Sequence, residues 1–133
     1  MQYREQLEKM LVPTPPTFTM YGLLPVNTYE KQSPLGGVIK GFVFTNKSSG
    51  VNLSVSVSDT GSVTTFLSKD EMSYDLHEYL KFKKRENEYI SDFFSVRLDK
   101  YIENLCALIK SELGDIITGK RWEDVPRDWM GYK

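Results

Sequence analysis

Histidine and cysteine, the types most often recruited for nucleophilic and metal chemistry, are scarce in this sequence. The chain holds one histidine, His77, and one cysteine, Cys106. A thiol nucleophile would need the imidazole within hydrogen-bond reach and a third group to orient it. Cys106 follows Leu105, a position on an apolar helical stripe, where a small thiol ordinarily serves as packing. His77 falls on a mixed-charge segment and reads as a surface residue. Structural zinc wants four nitrogen or sulfur ligands and catalytic zinc usually three from protein, so one His and one Cys predict no zinc centre. An Asp-x-Asp-x-Asp-Gly calcium loop is missing from the sequence. Gly36-Gly37 and Gly41 lack both the lysine-serine ending of a phosphate loop and the spacing of a dinucleotide fingerprint. No metal and no cofactor is expected.

The sharpest catalytic motif is Asp59-Thr60-Gly61-Ser62. It resembles the Asp-Thr-Gly signature of aspartic proteases, where two aspartates share a proton and activate water. One copy per chain implies a homodimer with Asp59 contributed twice. Ser58 stands where that family has an apolar residue. The same four residues also make a favourable hairpin turn, since aspartate and glycine suit turns for backbone reasons alone.

Two charged runs bear on binding. Lys81, Lys83, Lys84 and Arg85, near Phe82 and Tyr89, could meet phosphates and stack on bases. They are bounded by Glu78, Glu86 and Glu88, and a basic helix C-terminus accounts for them through the helix dipole. Glu71, Asp75 and Glu78, spaced by four and three, are expected on one helix side, as a face for a basic partner or as a solvated first turn.

Composition bounds the rest. The chain has 133 residues, 40% of them hydrophobic and 13% aromatic, which is a globular composition. At that size one domain, 1–133, buries a core without metal or disulfide. Lys plus Arg (17) and Asp plus Glu (18) nearly cancel to a net charge of −1, which disfavours a nucleic-acid binder. A lone cysteine fits a reducing compartment. The first nine residues have no signal-peptide pattern, and no apolar run approaches the roughly 20 residues that span a bilayer. The expectation is a cytoplasmic, non-membrane protein; its oligomeric state is not legible.

The elements that would position these residues follow from periodicity. Residues 2–11 read as a helix with Tyr3, Leu7, Met10 and Leu11 on one face, stopped at Val12-Pro13. Thr14-Pro15-Pro16 reads as an extended connector, Thr17–Leu24 as a strand, and 27–37 as a loop. Val38–Thr45 is a strand. Lys47-Ser48-Ser49-Gly50 is a hairpin loop. The next strand alternates, with Val51, Leu53, Val55 and Val57 inward and Asn52, Ser54, Ser56 and Ser58 outward, as in an antiparallel sheet with one wet face. Residues 62–67 add another strand. Ser68 and Glu71 match a capping box for a helix with Met72, Leu76, Tyr79 and Leu80 inside. Ser91 or Asp92 would cap a long helix with the stripe Phe94, Leu98, Tyr101, Leu105, Leu108 and Ile109, ended by Gly114 or Gly119. The expected class is α+β, a single antiparallel meander of three to four strands packed against an N-terminal helix and two C-terminal helices.

The ending carries the second resemblance. Leu113-Gly114-Asp115-Ile116-Ile117-Thr118-Gly119-Lys120-Arg121-Trp122, followed by Val125-Pro126-Arg127-Asp128-Trp129, is similar to the C-termini of small bacterial immunity proteins of polymorphic or contact-dependent toxin systems. The likeness covers about a fifth of the chain. It implies a non-enzymatic, cytoplasmic protein that binds and neutralises a cognate toxin domain. Such proteins often carry a strongly acidic face, which the charge balance here does not reproduce. Arg127, Trp129 and Tyr132 are the expected anchors, with Glu71, Asp75 and Glu78 steering association. Trp122 is expected to fold back on the core. A small nucleic-acid-associated or regulatory domain is the alternative, and an Asp59 protease the remote one.

Overall fold

A computed structural model describes residues 2–34, 36–59, 61–82 and 98–122. It has the α+β architecture, with five strands rather than three or four. The chain runs α1 (Gln2–Leu11), α2 (Pro16–Met20), β1 (Leu23–Gln32), β2 (Val38–Asn46), β3 (Val51–Ser58), β4 (Val63–Lys69), β5 (Met72–Asp75), α3 (Leu76–Phe82) and α4 (Leu98–Leu108). A π turn, Ile109–Leu113, then leads into α5 (Gly114–Ile117). The five strands form one antiparallel meander in the order β1-β2-β3-β4-β5.

Strand alternation divides the sheet cleanly. Val51, Leu53, Val55 and Val57 are each fully buried, and Phe42, Phe44, Val63 and Leu67 lie beside them on the same face through the registers Phe42↔Val55, Phe44↔Leu53, Val57↔Val63 and Leu53↔Leu67. The helices pack on this face. Leu7 and Leu11 of α1, Leu76, Tyr79 and Leu80 of α3, and Tyr101, Leu105, Leu108, Ile109, Leu113, Ile116 and Ile117 of the C-terminal helical run join the strands in one apolar cluster. The Thr65 hydroxyl meets the Tyr101 phenol at 2.7 Å inside it, so the two buried polar groups satisfy each other.

Three expectations are corrected. Of the expected strand 17–24 only Leu23 and Leu24 are extended, as the start of β1. Residues 17–20 are helical, because Pro16 occupies the first turn of α2, where its fixed φ and missing N–H suit a helix start. Phe18 is buried there, its ring edge-on to Phe44 at 4.9 Å. Residues 27–32 are not loop but the outer two-thirds of β1. This edge strand is exposed along nearly its whole length, so no inside-outside alternation marks it.

The third correction concerns Ser68–Glu71, which caps no helix. Ser68 lies in β4 opposite Ser73 of β5, and the chain reverses at Asp70, whose φ of 56° is a left-handed value that aspartate tolerates. Met72, expected inside a helix, is 39% exposed on β5. The helix starts later, at Leu76, and its cap is Asp75, whose Oδ1 accepts the His77 N–H at 2.7 Å.

At the other end, Gly114 is helical (φ −56°, ψ −41°) and continues the run through the π turn, while Gly119 at φ +86° ends it. The Lys120 N–H returns to the Asp115 carbonyl at 2.8 Å. Ser91, Asp92 and Phe94 lie outside the described residues. Among the described residues no helix is long and apolar enough to cross a membrane.

Candidate functional site

The outward face of the sheet is the surface these elements build. Every described helix packs on the opposite face. The outward positions are Asn52, Ser54, Ser56 and Ser58 on β3, flanked by Ile39, Gly41, Val43 and Thr45 on β2 and by Thr64, Phe66 and Ser68 on β4. Tyr29 of β1 lies across Gly41, its register partner, and its hydroxyl is 3.4 Å from Ser54 Oγ. A Cβ on Gly41 would sit 2.1 Å from the Tyr29 ring, so the close approach of the phenol demands glycine. The Lys31 ammonium stands over the same ring at 5.8 Å from its centroid. Thr45 Oγ1 donates to Asn52 Oδ1. Phe66 is 40% exposed. The face therefore combines apolar and aromatic patches with short hydroxyl side chains.

At one end the face dips into a pocket of about 270 Å³ lined by Ile39, Ser56, Ser58, Asp59, Ser62 and Thr64. Ser56 is almost fully buried, at 6% exposure. Asp59 occupies the β3–β4 turn, as its hairpin reading requires; Gly61 N–H returns to the Ser58 carbonyl at 3.0 Å, and Ser62 N–H reaches Ser58 Oγ at 3.2 Å. Asp59 Oδ2 accepts the Val38 N–H at 2.9 Å, tying this turn to the start of β2. Among the described lining residues Asp59 is the only acid.

The expected site residues separate. Glu71 is exposed in the β4–β5 turn, Asp75 is half-buried at the far end of β5, and Glu78 is in the first turn of α3. Four strand residues between Glu71 and the helix correspond to about 13 Å, so the three do not share one helix face. Burial raises the Asp75 carboxyl above the ordinary carboxylate value, opposed by the N–H groups of His77 and Glu78 and by the His77 charge. Asp75 faces outward beside its partner Phe66. Arg127, Trp129 and Tyr132 lie outside the described residues, as do Lys83, Lys84 and Arg85. Cys106 is half-buried against the core; desolvation raises its thiol, while a hydrogen bond from Thr17 and the charge of Lys110 pull the other way.

A part-buried polar cluster had no sequence signal. The Tyr79 phenol donates to Glu112 Oε2 at 2.6 Å, and Arg121 Nη2 reaches the same oxygen at 3.0 Å and the Glu112 carbonyl at 3.1 Å. Glu112 comes from the π turn, which moves following residues by about 100° relative to an uninterrupted α-helix. Tyr74 stacks on Tyr79 at 5.4 Å and meets Trp122 at 5.3 Å. Trp122 is partly buried against the core, as expected. Arg121 and Trp122 thus anchor the start of the C-terminal stretch against α3 and β5.

The outward residues Tyr29, Ile39, Val43 and Phe66 were missed as a site. The only available signal was the polar half of the β3 alternation, which marks a wet face without saying what borders it.

The chain matches no protein-family model, no curated protein and no solved structure. The class defined by fold and site is an α+β protein whose described helices lie on one face of the sheet, with an outward face of hydroxyl and aromatic groups.

Proposed function

We propose that the protein is a non-enzymatic binding protein of the immunity type, which holds a cognate toxin domain in a stoichiometric complex and neutralises it. The observation that carries this reading is the outward sheet face. Its exposed Phe66, its Tyr29 ring and its Ile39 and Val43 side chains sit among serine, threonine and asparagine. Rigid aromatic groups amid adaptable hydroxyls are the composition of antibody-type recognition surfaces. A strand-backed surface changes little on binding, so it can be complementary before contact. The resemblance of the C-terminal stretch to immunity proteins supports the same reading and adds Arg127, Trp129 and Tyr132 as flanking anchors. Asp75, beside Phe66, can belong to such an interface; Glu71, at the far hairpin tip, would at most steer.

A stable complex would bury on the order of 800 Å² on each partner, with a few anchors dominating. The test is capture of the partner with the tagged native protein, followed by co-expression of that partner in cells with wild-type protein or with Phe66→Glu. Neutralisation predicts growth inhibition by the partner alone, rescue by wild type, and loss of rescue by Phe66→Glu with an unchanged circular dichroism spectrum. A captured partner that is harmless when expressed alone defeats the toxin reading. Full rescue by both Phe66→Glu and Tyr29→Glu defeats the sheet-face assignment.

A further inference from the structure

We infer that the pocket at the end of the outward face is a receptor for a guanidinium group, taken from an arginine side chain of the partner protein. This deepens the binding reading above and rests on it.

The polar part of the pocket offers one carboxylate and several hydroxyls that can accept from a ligand. Asp59 supplies a carboxylate at the rim. Its Oδ2 is occupied by the Val38 N–H at 2.9 Å, which fixes the orientation of the group. A Cβ on Gly37 would lie 2.6 Å from that oxygen, so the β1–β2 loop is shaped around the carboxylate. Among the described contacts Oδ1 has no assigned donor, and it is the atom left for a ligand. The hydroxyls of Ser56, Ser62 and Thr64 line the same cavity, with Ser56 and Thr64 directly opposed across the β3–β4 register. Ile39 supplies an apolar wall.

A guanidinium is the cationic side-chain group that presents five N–H donors in a plane and accepts nothing. It can engage a carboxylate on one edge and hydroxyl oxygens on another, while its methylene stem lies against Ile39. An ammonium has three donors on a compact, strongly hydrated centre and uses such a spread of acceptors less well. Lys31, across from Ile39 in the β1–β2 register, lies on this face, and its ammonium stands over the Tyr29 ring. The carboxylate is pre-positioned by a backbone bond, which reduces the ordering cost of recognition.

The test uses the isotope-labelled full chain and three small probes: N-acetyl-arginine amide, its neutral citrulline counterpart, and N-acetyl-lysine amide. Backbone amide resonances are followed by NMR. The expected result is saturable movement of Ser56, Ser62 and Thr64 with the arginine probe, at the millimolar affinity appropriate to one side chain. Asp59→Asn should weaken the affinity at least fivefold; its side-chain oxygen still accepts from Val38, so the loop is retained. Thr64→Val, which keeps the shape and removes one acceptor, should weaken it by a smaller factor. Equal response to citrulline, tighter binding of the lysine probe, or no movement at these amides overturns the assignment. The readout needs no partner, so it can fail while toxin neutralisation succeeds, or succeed while neutralisation fails.

Discussion

Tyr79 and Glu112 are 33 positions apart in sequence and 2.6 Å apart in space, the phenol donating to Oε2 from α3 into the π turn. Burial holds the phenol well above the usual tyrosine range, and the hydrogen bond to the Glu112 carboxylate adds to this while Arg121 opposes it. Tyr79 therefore stays a protonated donor throughout the physiological range.

Removing that donor should cost stability without changing the fold. A hydrogen bond to a charged group contributes about 1.5–3 kcal/mol, and Glu112 retains Arg121 at 3.0 Å when the phenol is lost. Tyr79→Phe is expected to lower the urea midpoint accordingly. Glu112→Ala should cost more, because it leaves both the Tyr79 hydroxyl and the Arg121 guanidinium without this acceptor. An unchanged midpoint for Tyr79→Phe would show the bond to be energetically idle.

The Asp75 carboxyl provides a pH-resolved prediction. Its folded pKa is raised, chiefly by desolvation, from the ordinary value of 3.8. Between that value and the raised one the native state binds more protons than the unfolded chain, so stability falls as pH rises through this window. The contribution is fully present below the unfolded pKa and is lost above the folded one. Asp75→Asn retains a good helix cap while abolishing the titration, so it should flatten the profile and match or exceed wild type at neutral pH. Asp75→Ala also abolishes the titration and, through loss of the cap, should be about 1 kcal/mol less stable than Asp75→Asn at every pH. Identical pH profiles for wild type and Asp75→Asn would contradict the raised carboxyl.

These two sites show where the sequence was legible and where it was not. The β3 alternation and the Tyr101-Leu105-Leu108 stripe are long enough for burial to impose a period, and both elements read correctly. The edge strands failed for opposite reasons. β1 is wet on both sides for most of its length, so nothing in it repeats with period two. β5 is short and adjoins a Ser68-Glu71 pair whose spacing suits either a capping box or a tight hairpin. Only the tertiary pairing Ser68↔Ser73 decides between them. The Glu112 contacts depend on one π turn, and neither glutamate nor its neighbours carries a local mark of it. The sheet face was visible as polar residues on β3, but its aromatic border comes from β1 and β4, which register alone brings alongside.

Gly41 and Tyr29 should be energetically coupled. A methyl at residue 41 would lie 2.1 Å from the Tyr29 ring, and forced overpacking costs about 1–3 kcal/mol. Gly41→Ala is expected to destabilise by that amount in the wild-type background and to be nearly neutral in Tyr29→Ser, where the ring is gone. A double-mutant cycle by chemical denaturation measures the difference. Additive costs would place the strain of Gly41→Ala in the strand backbone instead of against the phenol.

Cys106 should behave as a packing residue whose reactivity is controlled by folding. Desolvation raises its thiol above the ordinary 9.0, outweighing the Thr17 hydrogen bond and the Lys110 charge. The thiolate is the reactive form, so at mildly alkaline pH the native protein should be alkylated far more slowly than the urea-unfolded chain. The native pH–rate profile should also have its midpoint displaced upward. The same shift makes the native state the better proton binder between the two thiol pKa values, so this contribution to stability is complete below 9.0 and is lost as pH climbs through the folded value. Cys106→Ala should remove that alkaline component while leaving the acid limb from Asp75 unchanged. A native midpoint at or below that of the unfolded chain would instead mark Cys106 as an activated thiol and reopen nucleophilic chemistry at α4.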